Sequence, residues 1–161
     1  MQIHNPSSSF TRPADTTAYA SGDLVANSTT AGSVTPLSFT LGGYSALSQF
    51  RLVRARISKT GTSATNANFR LHLYTASPVP ANGDNAAWST TQAANWVGNI
   101  DVTSMLAFTD GCCGTGSLPA GSEAFLRFNG NVLYGLLEAK AAYTPASGEV
   151  FTVTIEEVDQ F

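Results

Sequence analysis

The feature that most constrains the fold is the alternation of apolar and polar side chains in two runs within residues 50–74. A period of two turns one face of a strand toward a core and the other toward water or a partner. Between the runs, residues 61–67 are rich in Gly, Thr, Ser and Asn, which favour turns. The stretch therefore predicts two adjacent antiparallel strands. The apolar positions that we expect to face the core are Val53, Ala55, Ile57, Phe69, Leu71 and Leu73.

The opposite face of these two strands is basic. It carries Arg54, Arg56, Arg70 and His72, in a chain that has only 8 Lys and Arg residues. A charged strand face is most often a solvated one. The alternative is a cationic contact surface for an acidic protein partner, and the sequence leaves both interpretations open.

Low charge density favours an all-β fold. Charged residues make up only 12% of the 161 residues, about half of the usual share. Helix surfaces in soluble proteins are normally coated with Glu, Lys and Arg, so this composition argues against a helical bundle. Chains rich in Thr, Gly and aromatic residues suit strands and turns. A chain of this length predicts one domain with a substantial core.

Charge and hydropathy also narrow the range of partners. A net charge of −3 and a pI of about 5.2 provide no basic field for nucleic acid. No stretch approaches the roughly 20 apolar residues that span a bilayer, and residues 1–10 lack the regions of a secretory signal. We therefore expect no nucleic-acid partner, no membrane partner, and synthesis in a cytosol.

Residues 1–33 predict an extended N-terminal arm, followed by a β-sandwich domain over residues 34–161. Proline and a run rich in Ser, Thr and Ala interrupt any helical or strand period in the arm, where Phe10 and Tyr19 are isolated aromatics. Such an arm can lie along a neighbouring surface and become ordered on contact. Alternatively, it is an irregular edge segment that covers the domain's own sheet.

Strand signals continue along the rest of the chain. Pro36 makes residues 34–39 an edge strand or the start of a strand, because proline cannot donate to a ladder. Residues 149–158 alternate cleanly, with Phe151 and Val153 on one face, and predict a strand in the centre of its sheet. In total, about eight strands separated by Gly, Pro and Asn turns indicate an antiparallel all-β sandwich or barrel.

A hairpin signal lies between two later apolar runs, residues 123–128 and residues 132–137. Asn129, Gly130 and Asn131 separate them. Asn-Gly between apolar runs favours a tight hairpin because both central positions tolerate positive φ. We therefore expect these two strands to pair.

Two tryptophans stand in a loop-rich, polar stretch, residues 81–96. Trp88 and Trp96 flank the segment STTQAAN, which is compatible with one helical turn. Large aromatic side chains usually anchor a loop to the core. Alternatively, the two rings form a platform for a sugar ring.

Few residues offer catalytic or metal chemistry. The two histidines are His4 and His72, and the sequence contains no nucleophile elbow, phosphate-binding loop or calcium loop. We interpret Cys112 and Cys113 as two plain thiols in a glycine-rich loop, residues 110–121, because a zinc site needs four ligands. The prediction is therefore a protein that is not an enzyme, with no catalytic, cofactor-binding or metal residue. A hydrolase built on His72 is the weakest alternative.

Two segments resemble structural proteins of tailed-bacteriophage heads. Residues 12–30 read RPADTTAYASGDLVANSTT, and residues 65–89 read TNANFRLHLYTASPVPANGDNAAWS. The pattern R-P-A-D-T-x-x-Y-x-x-G-D, followed by F-R-L-H-L-Y and G-D-N-A-A-W, is similar to that of capsid decoration, or cement, proteins. The likeness covers about the first half of the chain.

This resemblance implies a jelly-roll-like β-sandwich that binds the major capsid protein on the exterior of the virion and assembles with itself as a dimer or trimer. It implies no cofactor and no catalytic residue. The residues that would contact a partner are Phe10, Arg12, Tyr19, Arg54, Arg56 and Arg70. The first three belong to the predicted arm, and the other three would meet acidic partner surfaces. The alternatives are a carbohydrate-binding module and a tail or head–tail connector component.

Overall fold

The structure, a computed structural model, describes residues 2–42, 49–119, 125–126 and 130–160. Within these ranges the chain forms twelve β-strands and two short 3₁₀ helices. The strands are β1 (Ile3–His4), β2 (Ser7–Thr11), β3 (Leu24–Val25), β4 (Leu37–Thr40), β5 (Gln49–Lys59), β6 (Phe69–Tyr74), β7 (Trp96–Val102), β8 (Leu106–Phe108), β9 (Gly111–Ser117), β10 (Phe125–Leu126), β11 (Val132–Ala139) and β12 (Val150–Gln160). The 3₁₀ helices are Ala31–Ser33 and Ala93–Asn95.

The strands form two antiparallel sheets, which confirms the predicted all-β sandwich. The seven-stranded sheet has the order β1-β12-β5-β9-β8, with β2 also paired to β12 and β10 also paired to β5. The five-stranded sheet has the order β3-β11-β6-β7, with β4 also paired to β11. A two-sheet arrangement needs one apolar face from each sheet, as the alternation in the sequence supplies.

The core lies between the two sheets and joins them through aromatic rings. Phe69 of β6 packs edge-to-face on Phe151 of β12 and on Tyr143, with ring centroids 5.3 Å apart in both pairs. Such pairs stabilise by about 0.5–1.5 kcal/mol beyond the burial of their area. Because Phe69 and Phe151 belong to different sheets, this contact fixes the sheets against each other.

The prediction that the two strands within residues 50–74, now β5 and β6, are neighbours in one sheet was wrong. Both strands exist, but β5 pairs with β12, β9 and β10, whereas β6 pairs with β7 and β11 in the other sheet. A period of two reports which face of a strand is buried, and it carries no information about the partner strand. Consequently Arg54 and Arg56 lie on one sheet while Arg70 and His72 lie on the other, so the four do not form one basic face.

A β-bulge in β5 also changes which residues face the core. Arg54 is opposite Glu156 and Leu52 is opposite Glu157, so Val53 is an extra residue between the two pairs. The bulge turns Leu52 inward and leaves Val53 38% exposed, the reverse of the predicted phase. One inserted residue has this effect because side chains alternate strictly along a strand.

The predicted central and peripheral strands are both present. β12 is a long strand with buried Phe151 and Val153, and it lies between β5 on one side and β1 and β2 on the other, as predicted. The predicted peripheral strand is β4, which begins directly after Pro36 and pairs with β11 within the described residues.

The predicted hairpin around Gly130 does not pair as expected. β10 pairs with β5 in the seven-stranded sheet, whereas β11 belongs to the five-stranded sheet. Asn129, which would have formed the tight turn, lies outside the described residues.

The glycine-rich stretch that was predicted as a loop is a strand, β9. Its cysteines are free thiols, with Cys112 buried and Cys113 half-buried. A Cβ atom at Gly116 would collide with the carbonyl oxygen of Asp101, and one at Gly114 would lie 2.5 Å from the carbonyl oxygen of Ser104. Glycine is therefore needed because the backbone at the end of β7 and directly after it passes β9 at close range.

Residues 2–33 lie against the domain's own sheets. β1 and β2 pair with β12, and β3 pairs with β11. Phe10 of β2 is half-buried and stacks on Phe151 with ring centroids 5.5 Å apart. The arrangement matches the second interpretation of this segment, in which it covers the domain's own strands.

Candidate functional site

Arg12 and Tyr19, two of the predicted contact residues, lie in a buried network around Asp84. Arg12 Nε donates to Tyr19 Oη at 2.8 Å, and Arg12 Nη2 lies 3.1 Å from Asp84 Oδ2. Tyr19 Oη donates to Asp84 Oδ1 at 2.6 Å, and the backbone N–H of Ala26 donates to the same oxygen at 2.8 Å. All three side chains are buried, so Arg12 and Tyr19 serve the fold of this chain, and that they contact a partner stays a prediction.

The buried charges of Arg12 and Asp84 stabilise each other. Burial raises the pKa of Asp84, and hydrogen bonds from Tyr19, Ala26 and Arg12 oppose that rise. Burial also raises the pKa of Tyr19, which therefore stays a donor. Burial alone would lower the pKa of Arg12, but its hydrogen bonds to Tyr19 and Asp15 and the charge of Asp84 raise it, so the guanidinium stays protonated. The network is a structural clamp, since each polar atom of the Asp84 carboxylate is engaged inside the fold.

This clamp joins the two segments that carry the family resemblance. Asp84 belongs to the G-D-N-A-A-W segment, and Arg12 and Tyr19 belong to the R-P-A-D-T-x-x-Y segment. Backbone bonds strengthen the contact, with Leu24 N–H donating to Ala86 O at 2.8 Å, and Trp88 N–H donating to Gly22 O at 2.8 Å. The motif residues are therefore required by the fold of this chain.

A second buried clamp holds the connection between β5 and β6. Lys59 Nζ lies 3.1 Å from Glu149 Oε1 and donates to the carbonyl oxygens of Gly61 and Ser63 at 2.8 and 2.7 Å. Tyr143 Oη is 2.7 Å from both carboxylate oxygens of Glu149. One of the few cations of the chain is thus used inside the fold, where no partner can reach it.

Arg54 and Arg56 are exposed on the outer face of the seven-stranded sheet. Arg54 Nε pairs with Glu156 Oε2 at 2.9 Å, while Arg56 makes no ion pair with any described residue. The two arginines flank a depression of about 440 Å³. The other residues that line it are Asn5, Thr115, Thr154 and Glu156.

Arg70 lies on the five-stranded sheet and is held by Asp101. Arg70 Nε and Nη2 donate to the two oxygens of Asp101 at 2.7 and 2.8 Å, a bidentate pair. The hydrogen bond from Arg70 lowers the pKa of Asp101, and the same bond raises the pKa of Arg70. This arginine is therefore already neutralised within the fold, unlike Arg56.

An aromatic cleft opens on the outer face of the five-stranded sheet. The loop after β6 covers this face, and Trp88 stacks on His72 with ring centroids 4.0 Å apart and planes 15° from parallel. Trp96, at the start of β7, remains 45% exposed at the rim. The cleft has a volume of about 320 Å³. We call it the aromatic cleft, and its lining residues are His72, Tyr74, Trp88, Thr90, Thr91, Ala93 and Trp96.

The base of the aromatic cleft is braced by ionisable groups. His72 Nε2 is 2.8 Å from Glu138 Oε2, and Lys140 Nζ donates to Glu138 Oε1 at 3.0 Å. Burial lowers the pKa of His72, although Glu138 partly opposes the change. Burial alone would raise the pKa of Glu138, but hydrogen bonds from His72 and Lys140 lower it. His72 is therefore neutral near pH 7, above a carboxylate that is already engaged.

Several polar atoms in the wall of the aromatic cleft have no hydrogen-bond partner among the described residues. All of them are buried just beneath the cleft surface. They are His72 Nδ1, Tyr74 Oη, Trp88 Nε1 and Thr90 Oγ1. Burial also raises the pKa of Tyr74 to about 12, so its phenol remains a donor. Buried polar groups are normally paired, and a cluster of unpaired ones points to a ligand or to a rearrangement.

The edge of the seven-stranded sheet exposes apolar side chains. β8 pairs with β9 on one side, and its Leu106 and Phe108 are 66% and 52% exposed. An apolar edge strand with free backbone groups is a template for pairing with another chain.

Sequence reasoning identified some of these residues and missed others. It singled out Trp88, Trp96 and His72, but it did not bring them together, because the outer face of β6 was interpreted as either a solvated face or a contact surface for a protein partner. It missed Asp84, whose only sequence signal is its place within the second resemblance segment. Within the described residues, no cluster of three or more His, Cys, Asp or Glu side chains could hold a metal ion. No helix in these ranges is long and apolar enough to cross a membrane.

Comparison of the sequence with protein-family models finds no match, and comparison with curated proteins finds none either.

Proposed function

We propose that this chain is a structural virion protein that binds the outer surface of a phage head and stabilises contacts between major capsid subunits. The motif resemblance supports this role. The observation that carries it is the bare outer face of the seven-stranded sheet, where Arg54 and Arg56 are exposed. A chain with so few cations leaves Arg56 without an ion pair to any described residue, at a position where a partner can reach it.

The size of this face suits a protein interface. β5 and β12 are each 11 residues long, or about 36 Å at 3.3 Å per residue. Together with the neighbouring strands β2 and β9 they cover at most about 700 Å². One side of a standard protein interface buries about 800 Å². The sheet face can therefore supply most of one interface, with the two arginines as candidate hot spots.

Self-association is the second part of the proposal. β8 forms one edge of the seven-stranded sheet, and its Leu106 and Phe108 lie on the same outer face as Arg54 and Arg56, two strands away from β5. A dimer or trimer formed by pairing at the β8 edge would extend the sheet in its own plane and leave Arg54 and Arg56 uncovered for the capsid. Several linked copies would bind more tightly than one, because each later contact is intramolecular.

The proposal is tested by binding to expanded empty heads of the phage whose genome encodes this chain. We expect the purified protein to sediment with the heads. The double variant Arg54→Ala/Arg56→Ala should bind at least about tenfold more weakly, because hot-spot truncations cost about 2 kcal/mol or more. The control is Arg70→Ala, which removes one positive charge from the other sheet and should change the affinity less than about twofold.

Two results would contradict this proposal in different ways. If the wild-type protein does not sediment with heads, the head-binding function is wrong. If it binds and the double variant binds equally well, the arginine face is not the contact. A position at the tail or at the head–tail connector in a whole-particle reconstruction would favour that alternative location.

A further inference from the structure

The aromatic cleft has the shape and the chemistry of a small-molecule site. Its volume of about 320 Å³ lies at the lower end of the range of about 300–1,000 Å³ that is typical of ligand pockets. Trp96 is exposed at the rim, and Trp88 is half-buried in the wall. Two indole rings on one cleft provide flat apolar surfaces on which another ring can stack.

The lining carries no permanent charge. Its polar members are the hydroxyl groups of Tyr74, Thr90 and Thr91, the indole N–H groups, and the imidazole of His72. Glu138 beneath His72 is already paired with both His72 and Lys140. A charged ligand would find no counter-ion among the lining residues, so the cleft selects for a neutral one.

The unpaired polar atoms further restrict which ligands fit the cleft. Leaving a buried donor or acceptor without a partner costs free energy, and four such atoms lie in this one wall. A ligand that offers an apolar ring face to Trp96 and several hydroxyl groups to Tyr74 and Thr90 would satisfy both parts of the lining. A purely apolar side chain from a protein partner would leave the four atoms unpaired.

We infer that the aromatic cleft binds a neutral pyranose ring of a carbohydrate, which stacks on Trp96 and forms hydrogen bonds with the unpaired atoms of the wall. These atoms are covered in the present arrangement, where Trp88 lies flat on His72. The ring of Trp88 therefore shifts as the ligand enters. This site does not depend on head binding, because it lies on the opposite sheet from Arg54 and Arg56.

The test uses the full-length protein and a panel of methyl pyranosides of glucose, galactose, mannose, rhamnose and N-acetylglucosamine. The chain has only two tryptophans, so each indole N–H gives a separate signal in a nitrogen–proton NMR spectrum. We expect at least one pyranoside to shift both indole signals saturably at one site. A single sugar ring should bind with a Kd on the order of 1 mM, given the small number of atoms that make contact.

Variants then locate the site. Trp96→Ala should weaken binding at least about tenfold, and Thr90→Val should weaken it about fivefold through the lost hydroxyl. Ile3→Ala is the control, because it shortens an exposed apolar side chain on the seven-stranded sheet, away from the aromatic cleft, and it should bind as the wild type does. Dispersed methyl signals in each variant show that it is folded.

The inference is overturned if no pyranoside shifts an indole signal, or if Trp96→Ala binds the sugar as tightly as the wild type. Uridine, adenosine and N-acetyltyrosinamide are titrated in parallel. Saturable binding of one of these compounds without binding of any pyranoside would also overturn it, since the cleft would then accept a base or a peptide side chain.

Discussion

At the scale of single residues, several of the chain's few charged side chains are buried in the fold. Arg12 and Asp84 are 72 positions apart in sequence, yet they form a buried ion pair that Tyr19 completes. A buried pair is weak evidence for net stability, but removing one partner leaves an uncompensated charge in the interior. The resemblance motif is thus explained by the fold, which requires these residues whatever the protein binds.

The first prediction concerns this clamp. Asp84→Asn keeps the size of the side chain and removes the charge that faces Arg12, so it should destabilise the protein by about 3–5 kcal/mol. Asp15→Asn is the control, because Asp15 contacts the same guanidinium from an exposed position and should cost less than about 1 kcal/mol. Urea unfolding followed by circular dichroism measures both. Equal urea midpoints for the two variants would show that the buried ion pair contributes no more to stability than the exposed one does.

The sequence predicted little of this residue-level arrangement. Arg12 and Tyr19 stand in a segment without apolar periodicity, and an ion pair across 72 positions leaves no local signal. Trp88 and Trp96 were recognised as either anchors or a ring platform. Trp88 packs on His72 of the five-stranded sheet, as the anchor interpretation describes. Trp96 is exposed, as the ring-platform interpretation requires.

At the scale of elements, the sequence predicted strands where apolar and polar residues alternate and failed where they do not. β5, β6 and β12 were predicted from their period, although the partner of β5 and the bulge at Val53 were not. β9 has glycine at alternate positions in place of apolar side chains, so it resembles a loop in the sequence. Its strand geometry depends on the neighbouring backbone, which only the assembled fold supplies.

The second prediction tests why β9 needs glycine. Gly116→Ala places a Cβ against the carbonyl of Asp101, and because backbone cannot move aside cheaply, we expect a loss of at least about 2 kcal/mol. Gly32→Ala is the matched control, since a Cβ there meets nothing within 4 Å and should leave stability within about 1 kcal/mol of the wild type. Thermal and urea unfolding compare them. A neutral Gly116→Ala would mean that the two sheets separate easily at this point.

At the scale of the whole molecule, the two outer faces of the sandwich differ in what covers them. A loop with Trp88 covers the five-stranded sheet and builds the aromatic cleft, whereas the seven-stranded sheet stays bare around Arg54 and Arg56. A third feature, the apolar edge at β8, lies at the margin of the seven-stranded sheet. The two outer faces therefore differ in chemistry, since one carries exposed arginines and the other an aromatic cleft.

The last prediction concerns the edge at β8. A lysine on an edge strand opposes pairing between chains, because it would have to bury its charge. Phe108→Lys should therefore convert a dimer or trimer into a monomer. At concentrations low enough for the wild type to be monomeric as well, the two should unfold at the same midpoint, since Phe108 is largely exposed. Val79→Lys is the control, as Val79 is 60% exposed in a loop and its replacement should leave the assembly intact. Sedimentation velocity over a range of concentrations measures the state of each variant. A Phe108→Lys variant that still assembles would place self-association at another surface. A wild-type protein that remains monomeric at every concentration would remove self-association from the proposal.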